Sequence, residues 1–249
     1  MAIPDTPKFP KVLLLKNYPS SSPSDKLMLE SFLANIQTTV PEARLDICCI
    51  ANGEQIPDLS DYCLVILSGG KVNLLEKDKP LWALQVLDMV RKLARESTGP
   101  KLLGICWGHQ AIHYALGGDL AWLEEGPRIG VQDIQLTVEG QKRFDSDTIK
   151  MHKYHVRYVS KLAHGFMPLA QHNEISLSAS DRILTFQGHP EMTYEISKAL
   201  SDGDNGTYKP LERKATATNG VEVLHGISTP HDGGRIWKII MNWALPVKN

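Results

Sequence analysis

The 249-residue chain has no long hydrophobic run, no excess of either charge and few cysteines. No window approaches the roughly 18 uninterrupted apolar residues that a membrane-spanning helix needs. The 27 basic side chains are matched by 28 acidic ones, for a net charge of -1, so the basic face of a nucleic-acid binder is not expected. The start, Met1-Ala2-Ile3-Pro4-Asp5, lacks the charged-then-apolar layout of a secretory signal. The four cysteines, at 48, 49, 63 and 106, include no C-x-x-C pair and no zinc spacing. There is no G-x-x-x-x-G-K-[ST] loop for a nucleotide. His152, His155, His225 and His231 lack metal-ligand spacing, so neither metal nor cofactor is expected. What remains is a soluble, cytoplasmic globular protein with a small-molecule partner, of a size that buries its own core.

What is present is an alternation of short apolar runs and helical periodicity. Strands are predicted at Lys11–Lys16, Arg44–Ile50, Cys63–Leu67 and Lys101–Ile105. Helices are predicted over 25–39, capped by Ser24 or Asp25, over 80–96 with Pro80 in its first turn, and over 107–116. Strands this apolar imply a mostly parallel sheet covered on both faces, an α/β fold. Between 128 and 187 the pattern changes to short β-like runs at Val131–Val138, Tyr154–Val159, Ile175–Ala179 and Ile183–Phe186, a small antiparallel excursion. Helix returns after His189 and at Arg235–Leu245. The intervening 201–232 is polar and reads as a loop insertion in a single domain spanning 1–249, either a lid or a surface insertion. Cys48, Cys49 and Cys63 are expected to be packed as small apolar residues, with the thiols of Cys48 and Cys49 on opposite faces of one strand.

Cys106 differs by its neighbours. In Gly104-Ile105-Cys106-Trp107-Gly108-His109-Gln110 an apolar strand runs into a cysteine flanked by glycines two residues away on each side, and a helix follows. This is the cysteine form of the strand-turn-helix elbow that lifts a nucleophile above a sheet. The helix N-terminus favours a thiolate, and the Trp107 N–H is placed for a developing oxyanion. The plain alternative is a packed cysteine whose glycines serve only close helix–sheet approach. Ser68-Gly69-Gly70 leaves the preceding strand toward the same edge and suits the second half of an oxyanion hole. Gly188-His189-Pro190-Glu191, at another strand exit, supplies a base and its orienting carboxylate. Cys106, His189 and Glu191 are therefore the candidate triad.

The two motifs, in the chain order Cys, His, Glu and with the Gly-rich turn after the third strand, resemble the class I glutamine amidotransferase superfamily. Among its members the chain looks most like stand-alone plant γ-glutamyl peptidases and fungal amidotransferase-like proteins. The resemblance spans about Lys11 to Ala199 and includes the Arg235–Leu245 helix. It implies a flavodoxin-like three-layer sandwich and a thioester mechanism. Cys106 would attack an amide or γ-glutamyl carbonyl, the N–H groups of Gly70 and Trp107 would hold the oxyanion, and Gly69 would contact the substrate. Gln110 would bind the amino-acid head of the substrate. One departure stands out. Where members that use glutamine carry a His-Gly-Asp or His-Gln-Asp loop, this chain reads Met151-His152-Lys153-Tyr154-His155-Val156. Tyr154 takes the place of the carboxylate that meets the substrate ammonium, a charge-assisted bond of roughly 1.5–3 kcal/mol. Lys153 would repel an ammonium further, leaving His152, Tyr154 and His155 to read something else or to form a solvated basic loop. The readings left open are a stand-alone amide hydrolase or acyl transferase, a glutaminase subunit feeding a synthetase partner, a recruited biosynthetic acyl-transfer enzyme and a thiol sensor.

Overall fold

The computed structural model describes residues 9–20, 23–204, 206, 208 and 226–245. Its centre is a seven-stranded sheet. Five strands are mutually parallel: β1 (Lys11–Leu15), β2 (Arg44–Cys48), β3 (Leu64–Leu67), β4 (Lys101–Ile105) and β11 (Ile183–Phe186). β10 (Ile175–Ser178) and β9 (Phe166–Pro168) add on antiparallel, for the spatial order β2-β1-β3-β4-β11-β10-β9. Alternate residues of the strands face opposite layers. Val12, Leu14, Leu64, Ile66, Leu103 and Ile105 pack with α1 (Pro23–Thr39) and α6 (Gly233–Ala244), where Phe32 meets Trp237 edge-on at 5.8 Å. Leu13, Leu15, Val65, Leu67 and Leu102 pack with α2 (Leu81–Arg95) and α3 (Trp107–Ala115). The expected three-layer, mostly parallel flavodoxin-like sandwich is thus observed.

Outside the main sheet lie two antiparallel pairs, β5 (Asp119–Trp122) with β8 (Arg157–Lys161), and β6 (Arg128–Gln135) with β7 (Thr148–His155). A short α4 (Val138–Phe144) joins β6 to β7, its Gly140 N–H donating to the Thr137 hydroxyl at 3.2 Å. β5, β9 and α4 are not evident from apolar periodicity. The expected strand Tyr154–Val159 is two strands: the chain turns at Val156, because residues up to His155 pair with β6 and those from Arg157 with β5. α5 (Tyr194–Asp202) follows His189, its N-terminal Ile196 N–H donating to the Thr193 hydroxyl.

Several local expectations change. β2 is an edge strand with Ile47 exposed, and it ends at Cys48. Cys49 starts a short 3-10 turn, so the two thiols do not share a strand: Cys48 Sγ donates to Gln55 O, Cys49 Sγ to Tyr18 O. Cys63 is half-buried, its thiol donating to Lys11 O at 2.9 Å. Pro80 precedes α2 as its cap residue rather than lying inside its first turn. Ser24 and Asp25 lie within the first turn of α1, and Asp25 pairs with Lys16. Of the polar insertion, 201–202 end α5, while His225 and most of the candidate lid lie outside the described residues. Among the described residues, no helix is long and apolar enough to cross a membrane.

Candidate active site

The parallel strands all end at one edge of the sheet, the usual place for a site in an open α/β fold. β3, β4 and β11 are neighbours in register, with Leu67 opposite Gly104 and Ile105 opposite Phe186. The residues leaving them therefore meet: Ser68-Gly69-Gly70 from β3, Cys106 from β4 and Gln187–Glu191 from β11. The Cys106 N–H still donates to Phe186 O at 2.8 Å, and the chain then turns sharply into α3. Cys106 takes φ 52° and ψ −99°, a left-handed conformation that is costly for a side-chain-bearing residue and recurs at functional turns. Gly108 lets α3 lie directly on β3, since a Cβ there would run into the Leu67 carbonyl. The Trp107 N–H, first of the helix, has no acceptor within it.

Gly69 sits against the reactive pair. A Cβ on it would stand 3.0 Å from His189 Cε1 and 3.8 Å from Cys106 Cβ. His189 is buried, and its N–H donates to His152 O at 2.8 Å. Its Nδ1 lies 2.7 Å from Glu191 Oε1. Its Nε2 is buried without a hydrogen-bond partner, and the neighbouring Cys106 helps hold the ring's proton. Burial alone would lower the His189 pKa, but the Glu191 carboxylate and Cys106 outweigh it and raise it to about 10. The Cys106 Sγ also lies 3.9 Å from Tyr154 O, its donor distance to that carbonyl.

These groups open onto a cavity of about 430 Å³ whose wall includes Cys106, His189, Glu191, Gly69, Gly70 and Tyr154. Tyr154 donates to Leu200 O at 3.1 Å, and its ring lies 4.4 Å from that of Tyr208. Burial pushes the Tyr154 phenol pKa up. The other expected substrate contacts do not reach the cavity wall. Gln110 spends its amide N–H groups on Arg157 O at 2.8 Å and Gln187 Oε1 at 3.1 Å. His152 lies under His189, with Nδ1 2.9 Å from the Ser197 hydroxyl. His155 Nδ1 lies 2.9 Å from Arg157 O. Lys153 corrects a sequence expectation: it is buried, paired with Glu174, and absent from the wall, because its strand is covered on both sides rather than forming a solvated loop.

The sequence motifs do not mark the wall residues Asn17, Tyr18, Phe32, Trp82 and Tyr208 as part of the site. Asn17 and Tyr18 carry one usable signal, since they leave β1 at the edge where every parallel strand ends. Among the described residues, no three His, Cys, Asp or Glu side chains are grouped to hold a metal ion.

Comparison with known proteins bears on the family and the fold. The model of the family Glutamine amidotransferase class-I matches residues 28–200. The glutamine amidotransferase-like protein chry6 of Gibberella zeae is 36% identical over 97% of this chain and 97% of its own length. Gamma-glutamyl peptidase 4 of Arabidopsis thaliana is 30% identical over 56% of this chain and 57% of its own. A glutamine amidotransferase from Thermotoga maritima shares the fold, with TM-score 0.75 at 16% identity, covering 95% of this chain and 99% of that one. With a family model spanning well over half of its residues, and an elbow and strand-exit histidine at the sheet edge, the chain belongs to the class I glutamine amidotransferase family.

Proposed function

We propose that the protein is a cysteine-dependent amide hydrolase or acyl transferase in which Cys106, His189 and Glu191 act as a triad. The observation that carries this reading is the 2.7 Å contact between His189 Nδ1 and Glu191 Oε1, which leaves Nε2 toward Cys106 in a buried pocket. Glu191 fixes the tautomer and stabilises the imidazolium. With the proton on His189 Nε2, where Glu191 and Cys106 hold it, the Cys106 sulfur attacks the amide carbonyl carbon. The carbonyl π electrons move onto oxygen, which the N–H groups of Gly70 and Trp107 receive. On collapse the C–N bond breaks, and the leaving nitrogen takes the proton from His189. Water, deprotonated by His189, then attacks the thioester to release a carboxylic acid and restore the thiolate. An amine in place of water gives a new amide. His152 and Gln110 serve this chemistry from behind, His152 through its carbonyl on the His189 N–H. The substrate is a small amide, of the γ-glutamyl or a related type.

Intact-mass spectrometry across glutamine, γ-glutamyl peptides and uncharged amides tests the reading. An acyl adduct on Cys106, absent from Cys106→Ala, is the expected result. No adduct with any amide, together with a Cys106 unreactive toward iodoacetamide, overturns it.

A further inference from the structure

Two charged groups near Cys106 lack an opposite charge. Arg157 is buried, and its Nη2 donates to Lys71 O at 3.3 Å. Its guanidinium lies 5.2 Å from the Trp122 ring, and its Nε is buried without a partner. Among the described residues, the carboxylate that acts on it is Glu76, which is exposed and accepts from Asn73 Nδ2 at 2.8 Å. Asp204 is the converse. Its Oδ2 accepts from the N–H groups of Gly206 and Tyr208, at 3.2 and 3.0 Å, while its Oδ1 is buried without a partner. Burying charges unpaired is costly, and removing one partner of a buried pair leaves the other uncompensated. Both groups lie around Tyr208, which belongs to the cavity wall. Burial raises the Tyr208 pKa to about 12, Cys106 and Asp204 add to the rise, and the Arg157 cation opposes it. Burial and then Asp204 also raise the pKa of Tyr154, whose ring lies 4.4 Å from that of Tyr208. Each group stands one residue behind the wall, Asp204 behind Gly203 and Tyr208, Arg157 behind Lys71. Glu191 Oε2 is a further carboxylate oxygen without a partner, but that side chain already orients His189 through Oε1.

We infer that Arg157 and Asp204 form a head-group site for a zwitterion, Arg157 taking the carboxylate and Asp204 the ammonium of one amino acid whose amide faces Cys106. This rests on the proposed γ-glutamyl thioester chemistry and names the residues that read its substrate. A guanidinium fork matches a carboxylate, and the free Oδ1 accepts an ammonium N–H. An amino-acid head brings both counter-charges on one carbon, whereas an uncharged amide leaves both buried charges as they are. Lys71, the cation of the wall itself, adds to the positive side from its exposed position. The Tyr208 main chain is tied to Asp204 through its N–H, so its ring turns aside to admit the head while the backbone stays.

Binding separates this inference from the chemistry. In the Cys106→Ala variant, calorimetry follows three ligands: L-glutamine, 4-carbamoylbutanoate, which lacks the ammonium, and 4-aminobutanamide, which lacks the carboxylate. Arg157→Met in that background is expected to weaken L-glutamine and 4-carbamoylbutanoate by about ten-fold or more and to leave 4-aminobutanamide unchanged. Asp204→Asn, which keeps an acceptor for the Gly206 and Tyr208 N–H groups, should weaken L-glutamine and 4-aminobutanamide by as much and spare 4-carbamoylbutanoate. Arg157→Lys covers the case of an Arg157→Met that does not fold, since losing the fork should still weaken 4-carbamoylbutanoate and spare 4-aminobutanamide. No binding of L-glutamine, equal effects on the three ligands, or loss of all three in a folded variant overturns the inference. If the unaltered enzyme forms a Cys106 adduct while the crossed pattern is missing, the thioester reading survives and the head-group site falls. If the crossed pattern appears but no amide acylates an unreactive Cys106, the chemistry falls and the head-group site stands.

Discussion

His189 Nδ1 lies 2.7 Å from Glu191 Oε1, and the two side chains are 4% and 1% exposed as residues. Only Pro190 separates them in sequence, so one rigid turn after β11 carries both groups. The Glu191 main chain is anchored from the opposite layer, where the Ser31 hydroxyl of α1 donates to its carbonyl at 2.5 Å. The Glu191 main chain is therefore held by the fold, and its carboxylate bonds to His189 through Oε1.

Replacing Glu191 with Gln keeps the shape and removes the charge. The rate of Cys106 acylation is expected to fall by about 10²–10⁴-fold, as when a triad carboxylate is neutralised. Stability carries a second signature. The native pKa of His189 is raised from 6.5 to about 10, so the folded state holds one proton more than the unfolded state between those values. Its contribution is full below pH 6.5 and is lost as pH rises toward 10. Urea titrations from pH 6 to 10 should show stability declining with pH in the parent protein and a flatter profile in Glu191→Gln. Parallel profiles would mean that Glu191 does not hold the His189 proton.

Gly69→Ala tests the close approach to the imidazole. Its backbone is not in the left-handed region, so strain at the residue itself is not the issue. The new Cβ, 3.0 Å from His189 Cε1, displaces a ring already fixed at Nδ1. Acylation is expected to slow by about ten-fold or more from a shift of a few tenths of an ångström. The melting temperature should move little, and a large fall in melting temperature with unchanged acylation would refute the assignment of Gly69 to the site.

How much of this was legible in the sequence depended on whether a local rule and the tertiary setting agreed. β4, Cys106 and α3 were readable because a fully buried parallel strand needs an unbroken apolar run, and a close-packed turn needs glycine at 108. The histidine was readable for the same reason, at the end of Ile183–Phe186. Lys153 was misread because its partner, Glu174, lies 21 residues away and local charge says nothing of it. The break at Val156 carries no glycine or proline, since it is imposed by a change of partner strand. Gln110 looks like a substrate contact in the motif, yet its amide is consumed by Arg157 and Gln187 from other elements.

The Lys153–Glu174 pair has a stability consequence. Both side chains are almost wholly buried, and Arg128 approaches the same carboxylate at 3.4 Å. Burial lowers the Lys153 pKa, with Glu174 opposing it. Glu174→Gln leaves a buried ammonium without its counter-charge and should cost about 3–5 kcal/mol in urea unfolding. The double change Lys153→Met with Glu174→Leu removes both charges and should recover most of that loss. Equal losses in the single and double variants would show that the pair contributes no more than its packing.

The buried histidines set the response to acid. Burial is the leading cause in each: it holds His109 and His155 well below 6.5, and lowers His113 to about 4 and His152 to about 3. These groups are neutral in the fold and take up protons in the unfolded chain once pH drops below 6.5. Their contribution is therefore complete above pH 6.5 and lost as pH falls toward the native values, at up to about 1.4 kcal/mol per pH unit for each group. His113 is the cleanest probe, because its Nε2 lies 2.9 Å from the Ser176 hydroxyl and its Nδ1 accepts the Ala163 N–H. His113→Asn should lower stability at pH 7.5 and make the slope between pH 6.5 and 4 shallower by one proton. A lowered plateau with the same slope would place the acid sensitivity elsewhere, since one fewer titrating group must bind one fewer proton on unfolding.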